Sequence, residues 1–393
     1  MTGGIFVKKL FVACLLTLLL GTFAQAALAA EDTVKIGFLA SLTGDGATWG
    51  QEQRKGAEIA IEEINAAGGV LGKPLQLVVL DDRGRQEDAI TSARRLIDTE
   101  KVQVIGGANS SGMCIALAPV MERARVPLVA PFASNPAATI DPRSGKVRPY
   151  VFRLCAIDPY HGSVMADYLF KRLNVDTAAI LHDVGSEYSE GIKEFFTERF
   201  TQLGGKVLGA YGYRGGDVDF RAQLTQARNT GAKALVMPSL YKEMGLMTKQ
   251  AAELDWKPIL MGGDGFSMAM YEIAGSSMND SYWTSNMDLD DKNVQELLAK
   301  YEKKYNAKVF EYTSVTMSYD IIYTIADAIK RAGKYDGVAI RDALESTKDL
   351  KLTHFTLTMD PKTHNPLAKP LVIQQFRDGD ITYLETWAAE EID

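Results

Sequence analysis

The stretch VKIGFLASLTGDGATWGQEQRKGAEIAIEEINAAGGVLGKPLQLVVLDD, residues 34–82, holds two short apolar runs separated by a longer amphipathic segment. The runs at 34–40 and 75–82 are typical of buried β-strands. Residues 49–66 repeat apolar side chains at helical spacing and end at AAGG, which predicts an amphipathic helix. The apolar side of this helix carries Ala57, Ile59, Ala60, Ile61 and Ile64. A strand, a helix and a second strand in this order indicate a parallel α/β sheet.

The same alternation continues along the chain and then starts again. The first series goes on through helices at 86–99 and 113–125 and the apolar runs VQVIGG and VPLVAP. The second series has helices at 187–203, 218–229 and 241–254 and the apolar runs TAAILHD, KVLGAYGY, KALVMPS and PILMGGD. Further helices are predicted at 292–305 and 314–332, followed by two closing strands around the turn Asp378–Gly379. Two copies of one series predict two similar lobes, each built on a doubly wound parallel sheet.

The first 30 residues have the pattern of a secretory signal peptide. Lys8 and Lys9 precede the apolar run LFVACLLTLLLGTFA, and the small residues QAALAA follow it. An uncleaved membrane anchor is the alternative, but the apolar run is shorter than the roughly 20 residues that a span requires. The sequence therefore predicts a soluble mature protein that is exported to the periplasm.

Charge and cysteine content exclude some classes of protein. The formal net charge of −7 becomes −9 after removal of residues 1–30, because that segment holds two lysines and no acidic residue. Nucleic-acid binding, which requires a basic surface, is not expected. Cys114 and Cys155 are the cysteines beyond residue 30, and two cysteines in so long a chain do not form a disulfide framework.

Motifs of catalysis are missing from the sequence. It contains no Gly-x-Ser-x-Gly elbow and no phosphate-binding Gly-x4-Gly-Lys loop, and its four histidines lack metal-ligand spacing. GDGATWG, residues 44–50, resembles a dinucleotide fingerprint, but Trp49 would crowd a pyrophosphate. Asp81 and Asp82 could form a carboxylate pair for acid–base chemistry, or could fix a loop beside Arg83. We expect no enzyme, no cofactor and no metal site.

Polar and aromatic residues fall where predicted strands end, the edge at which parallel sheets bind ligands. GGANSSGM, residues 106–113, places Ser110 and Ser111 at the start of a helix, whose N–H groups and dipole favour an anion such as phosphate or carboxylate. The other candidates near strand ends are Trp49, Phe132, Ala133, Ser134, Tyr188, Tyr241 and Asp264. Each has an ordinary structural explanation when taken alone, such as capping a turn, packing or solvating a loop.

Together these residues predict a ligand with one negatively and one positively charged end. Hydroxyl groups at a helix N-terminus suit a carboxylate, and Asp264 in the opposite lobe suits an ammonium group. Trp49 and the tyrosines would provide apolar walls for a side chain. The sequence thus predicts a zwitterion with an uncharged side chain, which is an amino acid.

The chain resembles the periplasmic solute-binding proteins of branched-chain amino-acid ABC transporters, which have the type I two-lobed fold. The resemblance covers 33–393 and is strongest in residues 36–82 and in VPLVAPFASNP. It implies three interlobe crossings, near 154–158, 282–286 and 357–362. It also implies an N-terminal lobe of 31–155 plus 284–358, and a C-terminal lobe of 156–283 plus 359–393.

The resemblance also implies roles for individual residues. Ser110 would hold the ligand carboxylate, with Ser134 supplying a hydroxyl from the next loop. The carbonyl of Phe132 and the side chain of Asp264 would hold the ammonium group. Trp49, Tyr188 and Tyr241 would be the aromatic residues of the cleft.

The chain departs from the family pattern at three places. Asp264 stands where a glutamate is usual, Phe132 replaces a small residue, and Asn109 occupies a position of a disulfide found in some relatives. These changes leave the ligand open between an amino acid and the amides, urea or aromatic acids that other proteins of this fold bind. We predict a monomer that delivers its ligand to an inner-membrane permease; a sensory module of the same fold and an exported enzyme are the alternatives.

Overall fold

The computed structural model describes residues 33–44 and 46–387, and the predicted signal peptide lies outside them. The first sheet has five strands, all parallel, in the order β2-β1-β3-β4-β5. These strands are β1 (Val34–Ala40), β2 (Leu75–Asp81), β3 (Ile105–Gly107), β4 (Leu128–Ala130) and β5 (Val151–Arg153). The connecting helices are α1 (Ala47–Ala66), α2 (Gln86–Asp98) and α3 (Ser111–Ala124). The order reverses between β1 and β3, so their carboxyl ends border a crevice.

The second sheet repeats this topology and extends it by a hairpin. Its strands include β6 (Thr177–Asp183), β7 (Lys206–Tyr213), β8 (Ala234–Met237), β9 (Ile259–Gly262) and β10 (Tyr282–Ser285). These five parallel strands lie in the order β7-β6-β8-β9-β10, and the antiparallel strands β13 (Leu371–Arg377) and β14 (Asp380–Trp387) follow β10. The helices of this lobe are α4 (Asp158–Asp167), continued by a turn at Tyr168–Arg172, α5 (Glu187–Gln202), α6 (Arg221–Asn229), α7 (Tyr241–Glu253) and α8 (Ala269–Ala274).

Three further helices return to the first sheet. They are α9 (Lys292–Tyr305), α10 (Tyr312–Ala332) and α11 (Gly337–Glu345), and a small hairpin of β11 (Leu350–Lys351) and β12 (Thr356–Leu357) follows them. Buried side chains of α10 and α11 share one hydrophobic core with β1 and α1. The predicted α/β fold of two lobes with parallel sheets is confirmed.

The chain passes between the two sheets after β5, after β10 and before β13. The side chain of Asn286 links the first two passages, because its Oδ1 accepts the N–H of Ala156 at 2.8 Å. The prediction missed β5, since residues 150–162 were expected only to cross between lobes. We propose the lobe boundaries predicted from the sequence as the working division of the chain, with two changes. Residues 284–285 belong to the second lobe because β10 lies in its sheet. Met359 and His364 belong to the first lobe, because Met359 lies in its core and His364 contacts Val151 of β5.

Gly56 of α1 allows the backbones of α1 and α10 to pack in direct contact. A Cβ atom on Gly56 would lie 2.1 Å from the backbone carbonyl oxygen of Val315, so only a residue without a side chain lets the two backbones approach this far. The N-terminal ends of both helices reach the crevice between the lobes. Within the described residues, no helix combines the length and the apolar character that crossing a bilayer requires.

Candidate functional site

A cavity of about 220 Å³ lies between the carboxyl ends of the two sheets. This is smaller than the roughly 300–1,000 Å³ of pockets that take drug-sized molecules. Its apolar and aromatic lining is formed by Trp49, Met113, Phe132, Tyr188, Leu240 and Phe266. Its neutral polar lining is formed by Gln86, Asn109, Ser110, Ser111, Ser186, Thr313 and Ser314, and its acidic lining by Asp183, Glu187, Asp264 and Glu311. Both lobes therefore contribute to one site.

One end of the cavity is the N-terminus of α3. Ser110 is the N-cap residue, and its Oγ accepts the N–H of Met113 at 3.3 Å. The preceding turn requires Gly107, which has φ +100° and whose added Cβ would lie 2.0 Å from the carbonyl oxygen of Leu39. Because the Ser110 hydroxyl accepts the capping bond, its proton is free to be donated to an anion. The helix dipole favours negative charge at the same point.

The loop after β4 forms a neighbouring wall of the cavity. Phe132 lines the cavity, and its carbonyl accepts the N–H of Ser134 at 3.0 Å. The Ser111 hydroxyl accepts the N–H of Asn135 at 3.1 Å, which fastens this loop to α3. The buried Arg153 guanidinium donates to the carbonyl oxygens of Ala133 and, at 2.9 Å, Asn135.

The sequence predicts Ala133 and Ser134 as ligand-binding residues, but the structure places both behind the cavity wall. Both are fully buried and lie outside the cavity lining. The Ser134 hydroxyl lies beside the carboxyl group of Asp158, whose pKa burial raises to about 8. These two residues thus support the loop from behind the cavity wall.

The opposite end of the cavity contains Asp264, which follows β9. Its side chain is 5% exposed, and its Oδ2 accepts from Asn286 Nδ2 at 2.7 Å and lies 3.5 Å from His161 Nε2. Burial lowers the pKa of His161, so this imidazole stays neutral at pH 7 and adds no full positive charge. The Tyr188 hydroxyl also contacts Asp264 and accepts the N–H of Gly265 at 3.2 Å. The carboxyl of Asp264 is therefore oriented by neutral groups.

Aromatic rings form the sides between these two ends. Trp49 meets Tyr241 edge to face, with ring centroids 4.9 Å apart. Tyr241 does not line the cavity itself but supports Trp49, which does. Phe266 stacks on the buried Trp283 at 3.4 Å. Apolar walls between two polar ends fit a small amphiphilic ligand.

Sequence reasoning did not identify Glu311, which lies on the cavity wall just before α10. The residue is 5% exposed, and Ser267 Oγ of the second lobe donates to its Oε1. Its carboxyl also contacts the side chain of Trp49, and burial raises its pKa to about 8. A glutamate just before a predicted helix has no feature in the sequence that marks it as a binding residue. Its position at the cavity follows from the path of the chain, which returns to the first lobe after β10.

Several contacts among the described residues join the lobes around the cavity. Ser267 meets Glu311, the ring of Tyr241 meets Trp49, and Asn135 Nδ2 donates to the carbonyl of Glu187 at 2.6 Å. The structure is accordingly the closed arrangement of the two lobes.

Asp81 and Asp82 fix the loop after β1. Of the two roles that the sequence allows them, an acid–base pair or the fixing of a loop, their contacts agree with the second. Asp81 Oδ1 accepts the N–H groups of Leu42 and Arg83, both at 2.9 Å. Asp82 is buried, and its Oδ1 accepts the Ser41 hydroxyl at 2.6 Å. Neither aspartate lines the cavity.

The cavity holds no set of residues for metal binding or nucleophilic catalysis in the part of the chain that the structure describes. No group of three or more histidine, cysteine or acidic side chains there could hold a metal ion. The lining likewise contains no histidine, cysteine or lysine. The geometry supports recognition of a small molecule with one anionic and one cationic end.

Comparison with known proteins gives a consistent result. The periplasmic binding protein family model matches residues 33–380. The Leu/Ile/Val-binding protein homolog 3 of Brucella melitensis is 28% identical over 365 residues, covering 92% of this chain and 96% of that protein. The leucine-, isoleucine-, valine-, threonine-, and alanine-binding protein of Pseudomonas aeruginosa is 30% identical over 328 residues, covering 82% and 85%.

Two solved structures show the same arrangement of lobes. A leucine-binding protein from Thermotoga maritima superposes with a TM-score of 0.84 at 30% identity and covers 91% of this chain and 99% of that chain. The branched-chain amino acid transporter substrate-binding protein of Streptococcus pneumoniae, in complex with isoleucine, gives a TM-score of 0.83 at 28% identity, with the same coverage.

Proposed function

Because the chain belongs to the periplasmic binding protein family, we propose that it is the exported ligand-binding subunit of an ABC importer. It captures a small amino acid or related carboxylate between its lobes and delivers it to a permease in the inner membrane. The amino-acid ligands named for the relatives from Pseudomonas aeruginosa and Streptococcus pneumoniae support this class of ligand. The protein performs no chemistry on the ligand.

One observation carries the proposal: Ser110 and Asp264 line the same cavity from opposite lobes. The hydroxyl of Ser110 and the N-terminus of α3 bind the carboxylate. Asp264 binds the ammonium group, with the free lone pair of the Phe132 carbonyl as a second acceptor. Trp49, Phe132 and Tyr188 surround the rest of the molecule, as does Ser111 on the carboxylate side.

Ligand binding favours closure because only the closed arrangement brings both ends of the cavity to one molecule. A ligand that contacts both lobes shifts the population by its difference in affinity for the closed and open forms. The three passages between the sheets are the segments that must bend. The closed form then presents a surface made by both lobes to the permease.

Three matched ligands test this proposal by calorimetry. Leucine carries both charged groups, leucinamide lacks the carboxylate, and 4-methylpentanoate lacks the ammonium group. We expect leucine to bind at least about tenfold more tightly than either analogue, since each missing charge-assisted contact is worth about 1.5–3 kcal/mol. Equal binding of 4-methylpentanoate and leucine would instead indicate a carboxylic-acid transporter. Tighter binding of the amide would exclude the anion site.

Replacement of Ser110 by alanine tests the carboxylate end. We expect Ser110→Ala to weaken leucine binding about tenfold, because the donor to the carboxylate and the N-cap are lost together. Ser110→Thr keeps the hydroxyl and should remain near the wild-type affinity. Ser134→Ala is the matched control, since Ser134 lies behind the cavity wall. Calorimetry in which Ser134→Ala costs as much as Ser110→Ala would contradict this assignment.

A further inference from the structure

The cavity has more acidic side chains than a single ammonium group needs as partners. Four acidic residues line it, and the described lining contains no lysine, arginine or histidine. Asp183 and Glu187 lie at the start of the second lobe's loop and helix, where they are partly or fully exposed to solvent. Glu311 is different, because its side chain is buried on the wall contributed by the first lobe.

The carboxyl of Glu311 has spare capacity to accept hydrogen bonds. A carboxyl group can accept several hydrogen bonds, whether or not it is ionised. The side chains of Ser267 and Trp49 contact the carboxyl of Glu311. A group of the ligand can therefore occupy a remaining site.

Glu311 also lies close to the end of the cavity where Asp264 binds the ammonium group. Asp264, Phe266, Glu311 and Thr313 line a second space of about 10 Å³, which adjoins the cavity and is about the size of one water molecule. Asp264 and Glu311 thus border the same space, so a ligand held by Asp264 lies beside Glu311.

Closure makes Glu311 sensitive to the ligand. The contact with Ser267 forms only when the second lobe meets the first, and it encloses the carboxyl away from water. Burial raises the pKa of Glu311 to about 8, so the carboxyl is mostly protonated at pH 7 when no ligand partner reaches it. An aliphatic side chain leaves the carboxyl in this neutral form, whereas a side chain that donates a hydrogen bond or carries a positive charge stabilises the carboxylate.

We propose that Glu311 determines specificity and selects amino acids whose side chain carries a hydrogen-bond donor over purely aliphatic ones. This inference rests on the proposed function, because it assumes that the ligand is an amino acid held by Ser110 and Asp264. Two kinds of side-chain donor fit this proposal: a neutral hydroxyl or amide group, and a positively charged ammonium group. The experiment separates these two classes of ligand.

Pairs of ligands of similar shape provide the test. Calorimetry compares valine with threonine, leucine with asparagine, and norleucine with lysine, on the wild-type protein and on two variants. Glu311→Met removes the acceptor at similar size, and Glu311→Gln keeps an acceptor that cannot ionise. Glu122→Gln, an exposed position on α3, is the charge control. Circular dichroism checks that each variant is folded.

We expect the wild type to prefer at least one donor-bearing member by about tenfold or more, and Glu311→Met to abolish that preference. If the donor is neutral, Glu311→Gln retains the preference; if it is a cation, Glu311→Gln loses it. Wild-type binding that favours the aliphatic members, with Glu311→Met weakening all ligands equally, would overturn the inference and make Glu311 a contact between lobes only. Absence of binding by all six amino acids would overturn the amino-acid part of the proposed function, and with it the premise of this inference.

Discussion

Asp264→Asn is expected to weaken binding of α-amino acids about 10- to 150-fold, the loss of about 1.5–3 kcal/mol that a charge-assisted hydrogen bond contributes. The substitution keeps the size of the side chain and leaves an oxygen that can accept from Asn286 Nδ2, now 2.7 Å from Asp264 Oδ2. It removes the negative charge and directs an amide at the ammonium group. His161, whose Nε2 lies 3.5 Å from Asp264 Oδ2, has no negative charge to offer in its place.

A second ligand separates this role from a structural one. Leucine and 4-methylpentanoate differ by the ammonium group, so Asp264→Asn should weaken the first and leave the second within about threefold. Asp183→Asn removes an equal charge from the cavity lining, where Asp183 Oδ1 accepts the N–H of Gly185 at 2.9 Å. We expect a much smaller effect from it. Equal losses for both ligands with Asp264→Asn would mean that Asp264 only positions Asn286 and its neighbours.

The fold was predictable because short apolar runs alternate with segments of helical spacing in both lobes. Strand β1 and helix α1 followed directly from residues 34–66, and the closing hairpin followed from Asp378–Gly379, which has φ values of 54° and 92°. Strand β5 was missed because it has only three residues and merges with the first passage between sheets. Pairing with β4, which the sequence cannot show, makes it a strand.

The residues of the candidate site that come directly after strands were predictable from the sequence. Ser110 and Asp264 each stand just after a buried strand, and the repeated topology brings those ends together. Ser134 shows the limit of this reasoning, because the direction of a loop side chain depends on contacts such as those of Arg153. Glu311 shows a second limit. It reaches the cavity only because the chain returns to the first lobe after β10.

The packing of the first lobe controls the position of Glu311 and Trp49 together. Trp49 lies in the first turn of α1, and Glu311 immediately precedes α10. The two helices approach at Gly56, where an added Cβ would lie 2.1 Å from the carbonyl oxygen and 2.8 Å from the carbonyl carbon of Val315. Both atoms belong to the backbone, so no side-chain rotation can relieve the contact. A larger residue must push the helices apart.

Gly56→Ala is therefore expected to lower the free energy of unfolding by about 2–3 kcal/mol, near the upper part of the range for overpacked cores. Helix propensity alone predicts the opposite, a gain of about 1 kcal/mol for alanine over glycine. Gly245→Ala in α7 is the matched control, because its added Cβ meets only the side chain of Ile273, at 3.1 Å, which can shift. Urea unfolding measures both variants, and calorimetry should show weaker leucine binding for Gly56→Ala. A stabilised Gly56→Ala protein would show that α1 and α10 are not held this close, and the wall that brings Trp49 to Glu311 would then need a different explanation.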